Sequence, residues 1–206
     1  MPPVQPQRQT VQGVVRSEGR RRGPRSDAIR NRSTIVDAAV QTFRLRPEAS
    51  MNDVAAAAGV GRATVYGHFT SRAELVDAAL SDVLRRGNDV LAALDLDGDV
   101  VTAFASLVSA SWELLDESRA LLEVAQAELA PDRIRALHAP LEDRVVNLIE
   151  RGRSEGVFRM DLPTTWQVAS MHALLQAAAA EIAAQRLSPA DAPRLLNATL
   201  LASFSL

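Results

Sequence analysis

Within Arg62-Ala-Thr-Val-Tyr-Gly-His68, four side chains able to donate hydrogen bonds fall inside two helical turns: Arg62, Thr64, Tyr66 and His68. At about 100° per residue their side centres on Ala63, Thr64 and Gly67, with Tyr66 and His68 at the flanks and Arg62 in the first turn. Val65 and Phe69, four apart, share the opposite face and would lock the helix onto a core. The free face is thin, because two of its central residues are nearly bare backbone. Such a face can lie close in a major groove while Thr64, Tyr66 and His68 reach phosphates or base edges, and the amides at the helix N-terminus favour a negative backbone.

Chemistry that makes or breaks bonds is poorly provided for. The chain has no cysteine, which removes disulfides, thiolate metal sites and a cysteine redox sensor. His68, His138 and His172 are too widely spaced for a metal motif, and no Gly-rich phosphate cradle or His-Glu-x-x-His is present. Asp95, Asp97 and Asp99 resemble the start of a calcium loop, but the glycine stands at the fourth loop position instead of the sixth, and the twelfth is Ser106. We therefore expect no catalytic residues, no metal and no cofactor. Two other readings stay open: a helix-turn-helix architectural protein without a ligand, and an all-α enzyme or adaptor whose helix-turn-helix is incidental.

The elements that would position the recognition face are written locally. Ser50 followed by Asp53 is a capping box, and Met51, Val54, Ala55 and Ala58 then recur at helical spacing, so a short helix is predicted from about 51 to 58. Gly59 can take the left-handed conformation that ends it, and the small residues Ala55 to Ala58 let the next helix cross closely. Ser71 with Glu74 forms a second capping box, opening a helix from about 72 to 92 with Leu75, Ala78, Ala79 and Val83 spaced for burial.

The stretch Ser50 to Leu75 resembles the signature of the tetracycline-repressor (TetR) family of one-component bacterial transcription regulators nearly throughout. The preceding segment, Arg30 to Phe43 with Ile35, Ala39 and Phe43 on one face, is similar to that family's first helix. The resemblance implies that Thr64, Tyr66 and His68 touch operator phosphates or bases, that Arg62 and Ala63 read bases, and that Phe69 anchors the head. Ser50, Met51, Gly67 and Arg72 complete the DNA-binding set carried over. The chain departs from the pattern in two respects: many members have a glycine near Pro47 or Glu48, and a lysine where this chain has Arg72. Arginine keeps the charge and Pro47 also breaks a helix.

Charge is divided along the chain. Residues 1–86 hold 14 arginines against 8 acidic residues, residues 87–206 hold 9 against 17, and the net charge is −2. A basic front attracts phosphate and makes binding salt-dependent, whereas an acidic rear avoids it. Residues 1–25, rich in Pro, Gln, Gly and Arg, read as a disordered arm that could track a minor groove or simply solubilise the protein. No apolar run follows Arg20-Arg-Arg22 as in a secretory signal, and none reaches membrane-spanning length, so we expect a cytoplasmic protein with no membrane partner.

The expected architecture is all-α: a helix-turn-helix head over 26–72, then a helical effector-binding and dimerisation domain over 73–206. Helices are predicted at about 100–116, 118–129, from Pro131 to Gly156 with Pro140 interrupting or kinking it, from Thr164 to Arg186, and a last one opened by Ser188-Pro-Ala-Asp191 and reaching almost to the C-terminus. Phe104, Val108, Trp112, Glu113, Leu121, Val145, Leu148, Trp166 and His172 are candidates to line a cavity for a hydrophobic small-molecule effector, although the same spacing suits plain core. The last two helices carry a stripe of small and aliphatic residues, Ala173, Ala177, Ala180, Ala184, Leu195, Thr199 and Ala202. By the resemblance this stripe meets its symmetry mate in a homodimer, which would read a pseudo-palindrome in double-stranded operator DNA.

Overall fold

The computed structural model describes residues 24–206, and its first helix, α1 (Pro24–Leu45), opens at a proline whose fixed φ suits a first turn. The expected arm over 1–25 therefore gives up its last two residues to α1, and the rest of it lies outside the described residues. There follow α2 (Met51–Ala58), α3 (Arg62–His68), α4 (Arg72–Ala92), α5 (Val100–Glu128), α6 (Pro131–Ser154), α7 (Thr164–Ala183) and α8 (Ala192–Phe204). Among the described residues the only strand-like pairing is an isolated bridge between Phe158 and Ser205. The fold is all-α.

Local chemistry accounts for the head. Ser50 Oγ accepts from the Asp53 amide at 3.3 Å while the Asp53 carboxylate accepts from the Ser50 amide at 2.8 Å, a complete capping box that starts α2. The Ser50 hydroxyl, which also donates to the Asp53 carboxylate at 2.5 Å, and the Ser50 amide hold that carboxyl below its ordinary pKa. Gly59 ends α2 with φ +66°, its amide turned back to the Ala55 and Ala56 carbonyls. The second predicted box is only half formed. Ser71 Oγ accepts from the Glu74 amide, but the Glu74 carboxylate takes the amide and hydroxyl of Thr70, at 2.6 and 2.7 Å, instead of the Ser71 amide.

The later helices depart from the predicted boundaries for definable reasons. The two helices expected at 100–116 and 118–129 are one, α5, because the Ser118 hydroxyl donates to the Leu114 carbonyl at 2.6 Å and so sits within a helix instead of capping a new one. Pro140 does not interrupt α6: it withdraws the amide that Ala136 O would receive, and the helix continues through it. α7 ends at Ala183, short of Arg186, where Gln185 takes φ +58° and the Arg186 and Leu187 amides turn back to Glu181 O.

Two cores result, joined along α4. The head core gathers Ile35, Ala39 and Phe43 of α1, Val54 of α2, Val65 and Phe69, and runs past residue 72 to Leu75, Leu80 and Leu84, with Leu121, Val124 and Ala125 supplied by α5. The second core begins at Leu91 and centres on Phe104, whose ring lies 5.3 Å from Phe158 and 5.5 Å from Phe204. One rigid helix thus has its first half in the head and its last turn in the other core.

The second core depends on Gly152. A Cβ built there would lie 2.2, 2.6 and 2.8 Å from three atoms of the buried Phe158 ring. Gly152→Ala is therefore expected to destabilise the protein by at least the roughly 1–3 kcal/mol of ordinary overpacking, read as a lowered midpoint in urea. Adding Phe158→Leu should recover part of the loss. An unchanged midpoint for Gly152→Ala alone would contradict this packing.

Candidate functional site

The helix α3 is held from one side and bare on the other. Val65 and Phe69 are completely buried, while Arg62, Ala63, Tyr66 and Gly67 are exposed and Thr64 and His68 are half-buried at the edges. Tyr66 is 42% exposed, and the Arg62 guanidinium lies 5.2 Å from its ring centre, a cation–π contact one turn along the helix. Gly61 caps the N-terminus without a side-chain bond; the Thr64 and Val65 amides donate to its carbonyl, which leaves the Arg62 and Ala63 amides to an anion. A further cation stands beside this surface: Arg32 of α1, exposed, with its guanidinium 5.0 Å from the Phe69 ring centre. Arg32 lies outside the stretch from Ser50 to Leu75 that carries the expected contact residues. Its signal was its place one turn before Ile35 and Val36 on the buried stripe of α1, which puts a long basic side chain at the rim of the head core.

Two expected contact residues are placed differently. Met51 is buried, so its side chain packs in the head core and cannot meet a partner. Arg72 is three-quarters buried, with Nε donating to the Ala49 carbonyl at 3.0 Å and its other nitrogens to the Pro47 carbonyl and the Glu128 carboxylate. Its plane also covers Phe43 at 5.0 Å. This guanidinium fixes the corner between α1 and α2 and ties the head to α5, tasks that need several donors in a fixed fork. Ser50 is exposed but its hydroxyl is bonded to Asp53.

Gly67 offers a diagnostic. Its backbone is helical, and a Cβ there would meet nothing within 4 Å. Gly67→Ala should raise the stability of the free protein by up to about 1 kcal/mol, the ordinary gain in helix propensity. If a groove wall lies against this face, the same methyl weakens DNA binding. A variant both more stable and undiminished in DNA affinity would take Gly67 off the contact surface.

Between α4, α5, α6 and α7 lies a cavity of about 390 Å³. Leu84, Leu91, Leu114, Leu115, Leu122, Ile134, Leu141, Val145, Met171 and Leu175 form its apolar wall, and Ser111, Ser118, Arg135, His138, Glu142, His172 and Gln176 its polar part. A smaller one of about 190 Å³ shares Leu84, Leu114, Ser118 and Leu141 with it and reaches α1 at Val40, Gln41 and Arg44. Loss of hydration holds His172 below the ordinary histidine pKa although part of the residue stays open to solvent; Glu142 opposes this by favouring the cation, and His138 adds to it.

Of the residues predicted to line a cavity, Val145 and His172 do so. Leu121 lines only the smaller one. Phe104, Val108, Trp112 and Leu148 are solid core, and Glu113 is exposed away from the cavity. Trp166 is 62% exposed on the first turn of α7. The apolar stripe of α5 was legible, but its Phe104, Val108 and Trp112 edge faces the packed core, whereas Ser111, Leu114, Leu115 and Ser118 face the cavity.

The helices α7 and α8 each have an apolar inner and outer face. Inside, Val168, Met171, Leu175, Leu196, Leu200 and Phe204 are buried. Outside, Ala173, Ala177, Ala180, Ala184, Thr199 and Ala202 are exposed, as are Ala169, Ala198 and Leu195, the last at 39%. Trp166 falls at i−3 and i−7 from Ala169 and Ala173 and extends the same face. The outer face of α7 and α8 is thus largely apolar and open to solvent.

Residues 35–79 match the family model described as bacterial regulatory proteins, tetR family. The chain is 30% identical over 148 residues, 72% of its length and 77% of the relative's, to the HTH-type transcriptional repressor LfrR of Mycolicibacterium smegmatis. It is 26% identical over 144 residues, 64% of its length and 69% of the relative's, to the HTH-type transcriptional repressor KstR2 of Rhodococcus jostii. Its fold is similar to that of the fatty acid degradation regulator FadR from Bacillus halodurans, with a TM-score of 0.68, 20% identity and coverage of 87% of this chain and 96% of that one.

Proposed function

Since the chain belongs to the tetR family of bacterial regulatory proteins and is thereby a DNA-binding transcriptional regulator, we propose that it is a ligand-released, homodimeric repressor. The observation that carries this reading is the arrangement of α4. Leu75 and Leu80 anchor it in the head core, Leu84 belongs to that core and also lines both cavities, and Leu91 closes the larger one from the other core. A ligand entering the cavity displaces Leu84 or Leu91, and α4 carries that displacement to α3 as a rigid lever. Ion pairs from Arg133 to Asp77, at 2.6 Å, and from Arg72 to Glu128 couple α4 further to α6 and α5.

In this reading residues 26–72 form the DNA-binding head and 73–206 the effector-binding and dimerisation unit, acting in the cytoplasm without enzymatic activity. Arg62 and Ala63 read base edges, Thr64, Tyr66, His68 and Arg32 hold phosphates, and two heads on one face of the duplex require a pseudo-palindrome with half-sites about 34–36 Å apart or a multiple of that. Both named relatives are called repressors, which supports the direction of control.

The test is a nuclease footprint on the DNA flanking the protein's own gene, repeated with candidate ligands. A symmetric protected site that ligand weakens by about 5- to 150-fold, the ordinary range of coupling between sites, is the expected result. Sequence-independent coverage would favour an architectural protein, and a site indifferent to every cavity ligand would remove the release step.

A further inference from the structure

Three of the polar residues of the larger cavity, Ser118, His138 and Glu142, present hydrogen-bond acceptors. Nδ1 of His138 lies 2.8 Å from the Ile134 carbonyl, which can only accept, so Nδ1 carries the proton and Nε2 of the neutral ring is left as a lone pair. The Ser118 hydroxyl has given its proton to Leu114 O, which leaves its oxygen as an acceptor too. Glu142, one turn beyond His138 on α6, brings a carboxylate that no hydrogen bond or ion pair engages among the described residues; its neighbour is the His172 imidazole. Arg135 alone among the described lining residues carries a permanent positive charge, and it is paired with Asp132 with its side chain 73% exposed.

Resting on the reading of this cavity as the effector site, we propose that its ligand is a small organic cation, an apolar body bearing a protonated amine, whose ammonium is held by Glu142 with His138 Nε2 beside it. The leucine-rich wall takes the body. Glu142 is exposed, so the ammonium meets it at the mouth while the body enters first. A carboxylate ligand of the same shape would set a second anion against Glu142 and find the hydroxyl of Ser118 and Nδ1 of His138 already committed as donors. The cavity thereby selects by charge as well as by size.

Three ligands with one 4-phenylbutyl body separate the possibilities: 4-phenylbutylammonium, 4-phenylbutan-1-ol and 4-phenylbutanoate, titrated calorimetrically into the full chain at pH 7.5. The ammonium should bind at least about tenfold more tightly than the carboxylate, with the alcohol between. Glu142→Gln should lower the ammonium affinity about tenfold and leave the alcohol unchanged, and Glu142→Arg should reverse the order of ammonium and carboxylate. Because Glu142 is exposed, both variants should melt as the wild type does. A carboxylate that binds as tightly as the ammonium, an ammonium preference that survives both variants, or no binding by any of the three would overturn the proposal. A gel shift with the footprinted DNA keeps the two readings apart. Glu142-dependent ammonium binding that leaves DNA bound sustains the cation site and refutes its role as effector site, whereas release of DNA by all three ligands alike sustains the effector site and refutes its selectivity for cations.

Discussion

Ala177→Glu is expected to leave each subunit folded, turn the protein into a monomer at micromolar concentration and lower operator affinity by at least about 10²-fold, the lower end of what linking two binding modules contributes. Ala177 is exposed on α7, so in the isolated subunit a glutamate there meets only water. In a twofold interface the same residue enters from both copies, and two carboxylates must then be buried without partners in a face made of Ala173, Ala177, Ala180 and Ala202. The overpacking alone costs about 1–3 kcal/mol, and each unpaired buried charge several more. Operator affinity follows because one head holds only a half-site. Sedimentation velocity and gel shift check both parts, with Ala190→Glu, an exposed position before α8, as the control for added charge. A wild type that sediments as a monomer, or an Ala177→Glu variant that remains a dimer, would show that this face serves something else.

That outward face also shows what could be read before the fold was known. Most of the local devices of the head agree between sequence and structure: the Ser50 and Asp53 box, the turn at Gly59 and the burial of Val65 and Phe69 all depend on residues within one or two turns of one another, and the Ser71 and Glu74 box is the exception. The small-residue stripe of α7 and α8 was legible for a related reason, since period alone sorts a helix into faces. Period does not say which apolar face is inner core and which is outer surface. Trp166, a candidate for either cavity or core, stands on the surface, while Phe104 and Trp112, whose spacing suits both, lie in solid core. The cavity is set by where α4, α5, α6 and α7 leave a gap, and its Glu142 and His138 come from the stretch of α6 around Pro140, the very residue read as a break.

Arg72 was misjudged on similar grounds. Nothing near it in sequence reveals that Ala49, Pro47 and Glu128 converge on its guanidinium from 23, 25 and 56 residues away. The family resemblance places Arg72 in the DNA-binding set, whereas its donors are engaged by acceptors within the protein. The lysine found at this position in many related chains could hold one or two of these acceptors but lacks the planar fork.

The recognition surface gives the second large effect. A double Tyr66→Ala, His68→Ala variant is expected to lose most DNA affinity, on random sequences as well as on the specific site, because the phosphate contacts it removes carry no sequence information. The contact between Arg62 and the Tyr66 ring allows the roles to be separated further. Tyr66→Phe keeps a ring beneath the guanidinium and removes only the hydroxyl, so it should weaken all DNA uniformly. Tyr66→Ala also removes the platform that orients Arg62, and should therefore relax sequence preference as Arg62→Ala does, by about 1–3 kcal/mol at the base pair Arg62 reads. A double-mutant cycle makes the difference quantitative: with Arg62 already absent, Tyr66→Ala should weaken binding no more than Tyr66→Phe. Binding by titration against the footprinted site and a scrambled one, at two salt concentrations, reads every arm. If the double Tyr66→Ala, His68→Ala variant stays folded and binds the site as the wild type does, these side chains do not touch DNA; if Tyr66→Ala and Tyr66→Phe agree in the presence of Arg62, the stacked guanidinium is not what reads the bases.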